Sequence, residues 1–387
     1  MHRHDSCSCR VRRPRLARKV LYNYMHLRIA QLAPPFETVP PSGYGGTERV
    51  VSTLTEELVR RGHDVTLFAA GDSRTSAQLT PIVDKALWHF DPPSNDFSVH
   101  QAAIFGTILD DIDAFDIVHS HMDYHGFPLA LATRVPMLST MHGRIDVPNL
   151  FEIYRAFADL PLVSISNAQR RPLATANWQG TVYHGIDLDQ FTLNPQPGRY
   201  LAFLGRISPD KGLDVAIRVA RRAGVPLKVA ARPPLSFDPS PEVRRDREYF
   251  EQVVAPLLSE PGVELIGEVG GAEKDQFLRE AAALLFPIRW PEPFGLVMPE
   301  ALACGTPVLA FDEGSVPEVI DNGVTGFVGH VEDDLVRAVE RIPELDRQRC
   351  RAEAERRFSP AAMADAYETV YAGLLENAWL PKPAVYA

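Results

Sequence analysis

The chain has 387 residues and a formal net charge of −10, with 45% hydrophobic and 23% charged residues. This length exceeds what one hydrophobic core usually organises, so we predict two domains of ordinary globular composition. The negative charge argues against nonspecific nucleic-acid binding and against a surface made to lie on anionic lipid. No stretch approaches the roughly 20 apolar residues of an integral membrane span. Two of the four cysteines, Cys304 and Cys350, lie outside the N-terminal tail, so we read no disulfide framework and expect a reducing cytoplasm.

The first 25 residues differ from the rest, because arginines crowd there with almost no hydrophobic pattern. Arg12 and Arg13 are not followed by the apolar segment of a secretory signal, and we therefore reject a signal peptide. A disordered tail over residues 1–25 is favoured over a metal site built from the histidines and cysteines of this segment.

From residue 27 onwards, short apolar runs alternate with helical patterns, which predicts doubly wound parallel sheets in an α/β protein. In the first half the predicted strands are 27–33, 63–70, 116–120, 136–140, 162–166 and 180–183, and a helix is predicted over 47–61. After a linker at 189–199, the predicted strands are 200–204, 227–231, 263–266, 283–286 and 307–310. Helices are predicted there over 211–223, 244–258, 272–282, 294–304, 332–342 and 360–376. The pattern indicates two Rossmann-like domains, 26–192 and 193–358, and a final helix within 359–387 that packs back on the first domain.

The strongest motif is the segment 292–300, which reads EPFGLVMPE and follows a predicted strand. A helix that begins there presents unpaired backbone amides and a partial positive charge to a ligand. Glu292 and Glu300 are eight residues apart, which is about 12 Å along a helix. One carboxylate is then suited to sugar hydroxyls and the other to a ribose diol. A capping glutamate and a solvated glutamate are the alternative, but the embedded Pro-Phe-Gly favours a binding role.

A second motif, GRISPDKG at 205–212, follows the first strand of the second half. We expect Ser208 to cap the next helix with Pro209 at its first position. Arg206 and Lys211 then flank a strand-to-helix turn at the edge of the sheet where ligands bind in such folds. Two cations at that edge suit a diphosphate, Arg as a planar fork and Lys as a point charge.

The third motif is Gly45-Gly46-Thr47-Glu48, a glycine pair directly before a helix in the first half. Glycine lets the backbone approach a phosphate closely, although a glycine pair alone is only a flexible turn. The segment is neither the Gly-x-Gly-x-x-Gly dinucleotide fingerprint nor a Walker loop, which disfavours a nicotinamide-dependent dehydrogenase.

Histidines cluster near the strand ends of the first half. His119, His121 and His125 lie within seven residues, but without a clear fourth ligand we predict no metal site. His142 follows a predicted strand at the edge of the cleft and is the better functional candidate. For His184 a structural role and a functional role are equally compatible with its position at a strand end.

Together these motifs resemble glycosyltransferase family 4, the retaining glycosyltransferases of the GT-B fold, in which two Rossmann-like domains face each other across a cleft. The resemblance runs from about residue 27 to 329 and rests on the segments 45–48, 185–187, 205–212, 292–300 and 323–327. The segments 246–250 and 263–267 resemble a bacterial subgroup that includes antibiotic-tailoring glucosyltransferases. One departure is Glu313-Gly314-Ser315, where many members have Gly-Gly before Pro-Glu, so the resemblance assigns this loop no donor-side role.

The resemblance implies that the C-terminal domain binds a nucleotide-sugar donor and that the N-terminal domain carries the acceptor side. Arg206 and Lys211 would stabilise the departing diphosphate, Glu292 would hold hydroxyls of the donor sugar, and Glu300 would bind the ribose. His142 would touch the sugar or its acceptor. Further donor contacts are implied for Gly46 from the opposite domain, the amides of Phe294, Gly295 and Leu296, and the backbone of Glu268 and Val269 beside the base.

The implied activity is hexosyl transfer from a nucleoside-diphosphate sugar, with UDP favoured over GDP, without a metal or a cofactor. Because no carboxylate nucleophile is evident on the first domain, we expect same-face attack through an oxocarbenium-like ion pair. A sugar-nucleotide epimerase, a glucan or disaccharide synthase and a non-catalytic sugar-nucleotide-binding protein remain alternatives. The sequence predicts neither the acceptor nor the oligomeric state.

Overall fold

Two parallel sheets organise the part of the chain that the computed structural model describes, residues 26–43, 45–90, 97–234 and 240–378. The predicted tail at 1–25 lies outside the described residues. Among the helices that are described, none is both long enough and apolar enough to cross a membrane.

The first sheet has seven strands in the order β3-β2-β1-β4-β5-β6-β7, all of them paired in parallel. Its strands are β1 (Arg28–Leu32), β2 (Asp64–Ala70), β3 (Gln78–Val83), β4 (Ile117–Ser120), β5 (Met137–Thr140), β6 (Leu162–Ser164) and β7 (Trp178–Thr181). The predicted pattern missed β3, whose run contains Pro81 and whose side chains are mostly only half-buried. A proline is tolerated there because β3 is the edge strand.

The second sheet has six parallel strands in the order β10-β9-β8-β11-β12-β13. Its strands are β8 (Leu201–Leu204), β9 (Leu227–Ala230), β10 (Val263–Gly267), β11 (Ala283–Phe286), β12 (Val308–Phe311) and β13 (Gly326–Gly329). Strand β13, which begins and ends with a glycine, was not predicted. Glycine is required at the first of these positions, since a Cβ on Gly326 would lie 1.9 Å from the carbonyl oxygen of Val308 on the neighbouring strand.

Helices cover both sheets and connect their strands. The α-helices are α1 (Gly46–Arg60), α2 (Phe97–Asp110), α3 (Phe151–Ala156), α4 (Asn167–Arg170), α5 (Leu213–Ala223), α6 (Pro241–Tyr249), α7 (Ala255–Leu258), α8 (Gly271–Arg279), α9 (Val297–Ala303), α10 (Val316–Val319), α11 (Glu332–Glu340), α12 (Arg347–Phe358) and α13 (Pro360–Ala378). A π-helical turn, Phe250–Val254, joins α6 to α7. Short 3₁₀ helices lie at Leu87–His89, Ile112–Ala114, Asp123–Leu131, Pro148–Leu150, Arg171–Leu173, Leu188–Gln190, Pro209–Lys211 and Ile342–Glu344.

Each sheet reverses its strand order at one place, between β1 and β4 in the first and between β8 and β11 in the second. In an open parallel sheet a crevice forms at such a point, outside the carboxyl ends of the strands. The loops that follow these four strands are therefore the places where a ligand is expected.

The last helix, α13, lies against the first sheet although it follows the second sheet in the chain. Its Tyr367 and Tyr371 are fully buried in a hydrophobic cluster with Ile29 of β1. At the rim, Arg61 pairs with Asp365 and Glu368 of α13 at 2.8 and 2.9 Å. These contacts hold α13 on the strands that end at the first crevice.

Candidate functional site

The loop after β8 packs closely against the loop after β11, and a glycine at position 212 makes this close approach possible. Gly212 has a φ of +70°, and a Cβ there would lie 2.2 Å from the carbonyl oxygen of Pro287. Ser208 does not cap a long helix as predicted, because Pro209–Lys211 forms a 3₁₀ turn that Gly212 ends. The Ser208 hydroxyl makes no capping bond and is buried without a partner among the described residues.

This close approach brings together two predicted site residues, Lys211 and Glu292. Lys211 Nζ lies 2.5 Å from Glu292 Oε2, and the two side chains are 20% and 12% exposed. The ammonium group also lies 5.8 Å from the ring centroid of Phe286 and 5.4 Å from that of Trp290. A mostly buried ion pair with aromatic walls thus stands at the crevice between β8 and β11, a contact that the motifs alone did not reveal.

Arg206, the second predicted cation, lies at the open side of this crevice. Its side chain is 55% exposed, and its Nε is 3.6 Å from Asp246 Oδ2, a loose ion pair. Asp246 is buried and is also contacted by Arg245 at 3.0 Å. The Arg206 guanidinium can therefore move to an incoming anion without losing a tight partner.

The segment between Glu292 and Glu300 is not one helix, so the predicted separation of 12 Å along a helix axis is wrong. Helix α9 begins only at Val297, because Gly295 has a φ of +77° and interrupts the predicted helix. The amides of Phe294, Gly295 and Leu296 donate to no other described residue. This loop thus offers the unpaired donors that the motif predicted, but from an irregular turn.

The loop after β12, to which the sequence analysis assigned no role, packs against the backbone of Glu292. Gly314 has a φ of +56°, and a Cβ there would lie 2.4 Å from both the backbone nitrogen and the backbone oxygen of Glu292. The Ser315 amide donates to the Glu292 carbonyl at 3.0 Å, and its hydroxyl donates to the Phe294 carbonyl at 2.8 Å. The departure from the family pattern at 313–315 therefore lies directly against a site residue.

Glu300 has a buried partner that the sequence analysis missed. Its Oε1 lies 2.6 Å from Lys274 Nζ, and the two side chains are only 6% and 10% exposed. Lys274 precedes the buried Phe277 and Leu278 of α8 by three and four residues, which places it on the inward face of that helix. This spacing was the signal in the sequence that a lysine points into the core there.

Glu268 and Val269 directly follow β10, at the outer side of the second crevice. Gly267 turns the chain with a φ of +85° at the end of this strand. The exposed side chain of Glu268 lies 3.6 Å from that of Arg232, so the turn leaves the backbone of 268–269 at the carboxyl edge of the sheet.

The glycine turn of the first sheet faces the second sheet across the cleft. Gly45 has a φ of +151°, and a Cβ there would lie 2.8 Å from Cβ of Pro41 and 3.1 Å from Oε2 of Glu48. A Cβ on Gly46 would lie 3.5 Å from Cδ1 of Leu296, in the loop that precedes α9. The predicted Gly46 and the loop of Glu292 therefore approach one another from opposite domains.

Two carboxylates in the first crevice were given no role by the sequence analysis. Burial, with the nearby charge of Glu37, raises the pKa of Glu48 to about 7. Burial also raises the pKa of Asp123 to about 6, although Asp123 Oδ1 accepts a hydrogen bond from the amide of His142 at 2.8 Å. Neither carboxylate forms an ion pair with another described residue.

The histidines do not form the metal cluster that their spacing suggested as an alternative. His125 packs against the rings of Phe97 and Tyr124, with centroids 4.8 and 4.3 Å apart. His119 and His121 are buried and hydrogen-bonded to side chains of the first sheet. Among the described residues, no group of three ligating side chains is arranged to hold a metal ion.

His142 lies just after the end of β5 as predicted and links the first sheet to the loop at residues 292–296. Its Nε2 is 2.8 Å from His121 Nδ1, and its ring is stacked on that of His184 with centroids 5.1 Å apart. His184 in turn packs edge-on against Phe294, with a centroid separation of 4.9 Å. Burial lowers the pKa of His142 to about 3, so the imidazole is neutral.

Comparisons with known proteins identify the family and the fold of the chain. A family model described as Glycosyltransferase Family 4 matches residues 44–190, and one described as Glycosyl transferases group 1 matches residues 187–362. The chain belongs to glycosyltransferase family 4. It is an enzyme with the GT-B fold, and the loops described above lie between the two matched halves of this glycosyltransferase.

Among the relatives of this glycosyltransferase is the D-inositol 3-phosphate glycosyltransferase of Mycolicibacterium smegmatis, 27% identical over 88% of this chain and 89% of that protein. The α-maltose-1-phosphate synthase of the same organism is 25% identical over 81% of this chain and 87% of that protein. The solved structure of AviGT4, a glycosyltransferase involved in avilamycin A biosynthesis, matches with a TM-score of 0.68 and 24% identity, over 90% of this chain and 98% of that chain. It shares the fold of this glycosyltransferase.

Two further contacts join the halves of the glycosyltransferase. The guanidinium of Arg144, in the loop after β5, lies 5.3 Å from the ring centroid of Trp290 in the loop after β11. Glu318 of α10 accepts hydrogen bonds from the amides of Asn167 and Ala168 at 2.7 Å each and from the Tyr183 hydroxyl at 3.0 Å. The first contact spans the mouth of the cleft, and the second fixes its base.

Proposed function

We propose that this glycosyltransferase transfers a hexose from a nucleoside-diphosphate sugar, with UDP favoured, to an acceptor hydroxyl and retains the anomeric configuration. The observation that carries the proposal is the ion pair of Lys211 and Glu292 at the crevice between β8 and β11, opposite Gly46. A cation and a carboxylate fixed at one point suit a ligand that is anionic on one side and hydroxylated on the other.

In this arrangement the diphosphate replaces Glu292 as the partner of Lys211, and Arg206 swings in from its loose contact with Asp246. Glu292 is then free to accept hydrogen bonds from hydroxyls of the donor sugar. The unpaired amides of residues 294–296 and the amide of Gly46 complete the surroundings of the diphosphate from both domains. Both cations stabilise the negative charge that develops on the leaving group, which is the main electrostatic contribution to catalysis.

The remaining donor contacts follow the carboxyl edge of the second sheet. Glu300 binds the ribose through the carboxylate oxygen that Lys274 does not hold, and the backbone of Glu268 and Val269 lies beside the base. His142 contacts the sugar or its acceptor from the first domain. We place the reaction in the cytoplasm, which the free, buried thiols of Cys304 and Cys350 support.

We infer same-face attack through an oxocarbenium-like ion pair, with the leaving phosphate taking the proton of the acceptor hydroxyl. Asp123 is a carboxylate in contact with His142, but its Oδ1 is held by the His142 amide and burial raises its pKa to about 6. It is thus a poor candidate for a covalent nucleophile. Two cations at the diphosphate supply the charge that a metal would otherwise bring, so turnover should persist in EDTA.

The experiment that tests the proposal compares cations on the second sheet. Arg206→Met and Lys211→Met should each lower kcat for UDP release from UDP-glucose on the order of 10²- to 10³-fold, because each removes charge stabilisation of the leaving group. Lys228→Met is the matched control. Lys228 lies on β9 and forms a loose ion pair, at 3.6 Å, with Glu264 of β10. Circular dichroism and thermal unfolding would confirm that all three variants fold. Full turnover in both site variants would contradict the proposal.

A synthase of a disaccharide or a glucan is the second candidate, because one relative is named α-maltose-1-phosphate synthase. The identity of the acceptor distinguishes such a synthase from a transferase that acts on another hydroxyl compound. Mass spectrometry of products formed from UDP-, GDP- and ADP-glucose with free sugars, sugar phosphates and non-sugar alcohols as acceptors would identify it. A thermal-shift screen with the same nucleotides would first establish the donor.

A further inference from the structure

A chain of hydrogen bonds runs through the first sheet from α13 to His142. It consists of side chains from four separate parts of the sequence, namely Gln31 of β1, His119 and His121 around the end of β4, Thr140 and His142 around the end of β5, and Tyr367 and Tyr371 of α13. All of these side chains except that of His142 are almost completely buried. A buried network of this kind is rigid because each polar group depends on its neighbour for a partner.

The three histidines of this hydrogen-bond network are neutral, since burial holds the pKa of His119 and of His121 well below the ordinary value and lowers that of His142 to about 3. A neutral imidazole carries one N–H and one lone pair. Each histidine must therefore donate from one ring nitrogen and accept at the other. The direction of the hydrogen bonds along the network is consequently determined by atoms that can act only as a donor or only as an acceptor.

Gln31 is such a member, because an amide oxygen only accepts and an amide nitrogen only donates. Gln31 Oε1 lies 2.7 Å from His121 Nε2, so His121 carries its proton on Nε2 and accepts at Nδ1. His121 Nδ1 lies 2.8 Å from His142 Nε2, which must then be the donor. His142 is thereby left with a lone pair on Nδ1, an atom that is buried and has no hydrogen-bond partner among the described residues.

The amide nitrogen of Gln31 faces the other end of this hydrogen-bond network. Gln31 Nε2 donates to the Tyr371 hydroxyl at 3.2 Å, and this hydroxyl donates to His119 Nδ1 at 2.7 Å. His119 then donates from Nε2 to the Thr140 hydroxyl at 2.8 Å. Turning the amide over would reverse these donors and give His142 an Nδ1–H instead. One amide orientation therefore decides what His142 offers.

The geometry points to Gln31 as a positioning residue that holds His142 in its Nε2–H tautomer, so that a lone pair on Nδ1 meets a substrate hydroxyl. The inference rests on the proposed function for the contact of His142 with substrate. Substrate hydroxyls are donors as well as acceptors, and a lone pair at Nδ1 selects the donating orientation. A hydroxyl that reaches Nδ1 supplies the hydrogen-bond donor that this buried nitrogen lacks among the described residues.

The position of His142 explains why its tautomer matters to the donor side. Its ring stacks on that of His184, and His184 packs on Phe294, in the loop at residues 292–296 that is proposed to bind the donor. Nδ1 of His184 is also buried without a partner among the described residues. Nδ1 of His142 has no accessible surface in this arrangement. We expect substrate to reach this nitrogen when the loop that carries His142 and the loop that carries Phe294 move apart. Loop motions of this kind are common in enzymes that bind a ligand between domains.

The first test is spectroscopic and needs no substrate. Long-range ¹H–¹⁵N correlations of protein labelled at its histidines report which ring nitrogen carries the proton, and comparison with His142→Gln assigns the signals of His142. We expect a neutral ring with the proton on Nε2 at pH 7. A proton on Nδ1, or a charged ring, would overturn the inference. In Gln31→Met the signals of His142 should shift toward a mixture of the two tautomers.

The second test is a double-mutant cycle on UDP release from UDP-glucose. Gln31→Met should lower kcat on the order of 10- to 100-fold, the usual cost of losing the partner that orients a functional histidine. If Gln31 acts through His142, the variant Gln31→Met/His142→Ala should be no slower than His142→Ala alone. Multiplying losses would mean that Gln31 has only a structural role. Gln179→Met is the matched control, since the Gln179 amide of β7 is hydrogen-bonded only to Asn177 among the described residues.

Tyr371→Phe replaces Gln31→Met if the latter does not fold, because it keeps the ring and removes the hydroxyl that accepts from the Gln31 amide and donates to His119. It should produce the same mixture of His142 tautomers, and an unchanged tautomer would contradict the role of the amide. The spectroscopic test also separates this inference from the proposed function. Wild-type protein that shows the Nε2–H tautomer but neither binds nor turns over nucleotide sugars would refute the function and leave the tautomer assignment standing.

Discussion

The carboxyl edges of the two sheets differ in how they hold buried ionisable groups. On the second sheet buried charges occur as opposite pairs, Lys211 with Glu292 and Lys274 with Glu300. On the first sheet the buried histidines His119, His121 and His142 are neutral, and Glu48 has a pKa raised to about 7 and no ion-pair partner among the described residues. A diphosphate can take over a paired cation, whereas a neutral region suits uncharged hydroxyl groups. The contrast therefore supports the proposed division into a donor side on the second sheet and an acceptor side on the first.

The largest effect is expected from breaking the most buried pair of the second edge. Lys274→Met should lower the free energy of unfolding by about 3–5 kcal/mol, because it leaves the Glu300 carboxylate buried without its partner. The double variant Lys274→Met/Glu300→Gln should recover most of this loss, since no charge is then left unpaired. Urea unfolding of both variants measures the difference. An equal loss in the two variants would mean that packing, and not the charge pair, stabilises this edge.

The stability of the first edge should depend on pH through Glu48. The pKa of Glu48 is about 7 in the folded protein against an ordinary value of 4.5. As the pH rises from 4.5 to 7, the unfolded chain loses this proton before the folded one, so the folded state is progressively destabilised. Glu48→Gln should therefore be more stable than the wild type by about 3 kcal/mol at pH 8 and nearly equal to it at pH 4.

Chemical unfolding of Glu48→Gln and wild type at pH 4, 6 and 8 gives this difference directly. Glu152→Gln, on the exposed face of α3, is the matched control. Its free energy of unfolding should differ little from that of the wild type at pH 4, 6 and 8. A gain from Glu48→Gln that does not change with pH would show that burial of the carboxylate does not raise its pKa as the structure indicates.

The contrast between the edges also explains what the sequence could predict. Lys211 and Glu292 stand in short motifs at strand ends, and parallel strands bring such ends together, so their place was predictable. The partner of Glu300 was not predicted, because Lys274 lies on a different helix and carries only a periodicity signal. The network of the first edge joins Gln31 to Tyr371, which are 340 residues apart in the chain. No local pattern encodes such a contact, and only the packing of α13 on β1 and β4 creates it.

The smallest effect is expected where the two edges meet at the mouth of the cleft. Arg144→Met removes the stacking of a guanidinium on Trp290, a contact worth about 0.5–1 kcal/mol at an exposed site. If closure over the donor uses this contact, the affinity for UDP-glucose should fall about 2- to 5-fold while the thermal unfolding temperature stays near that of the wild type. Arg170→Met is the matched control, since Arg170 stacks on Trp178 within the first domain. Isothermal titration of both variants decides the matter, because an equal loss of affinity in the two would show that the contact across the cleft has no special part in donor binding.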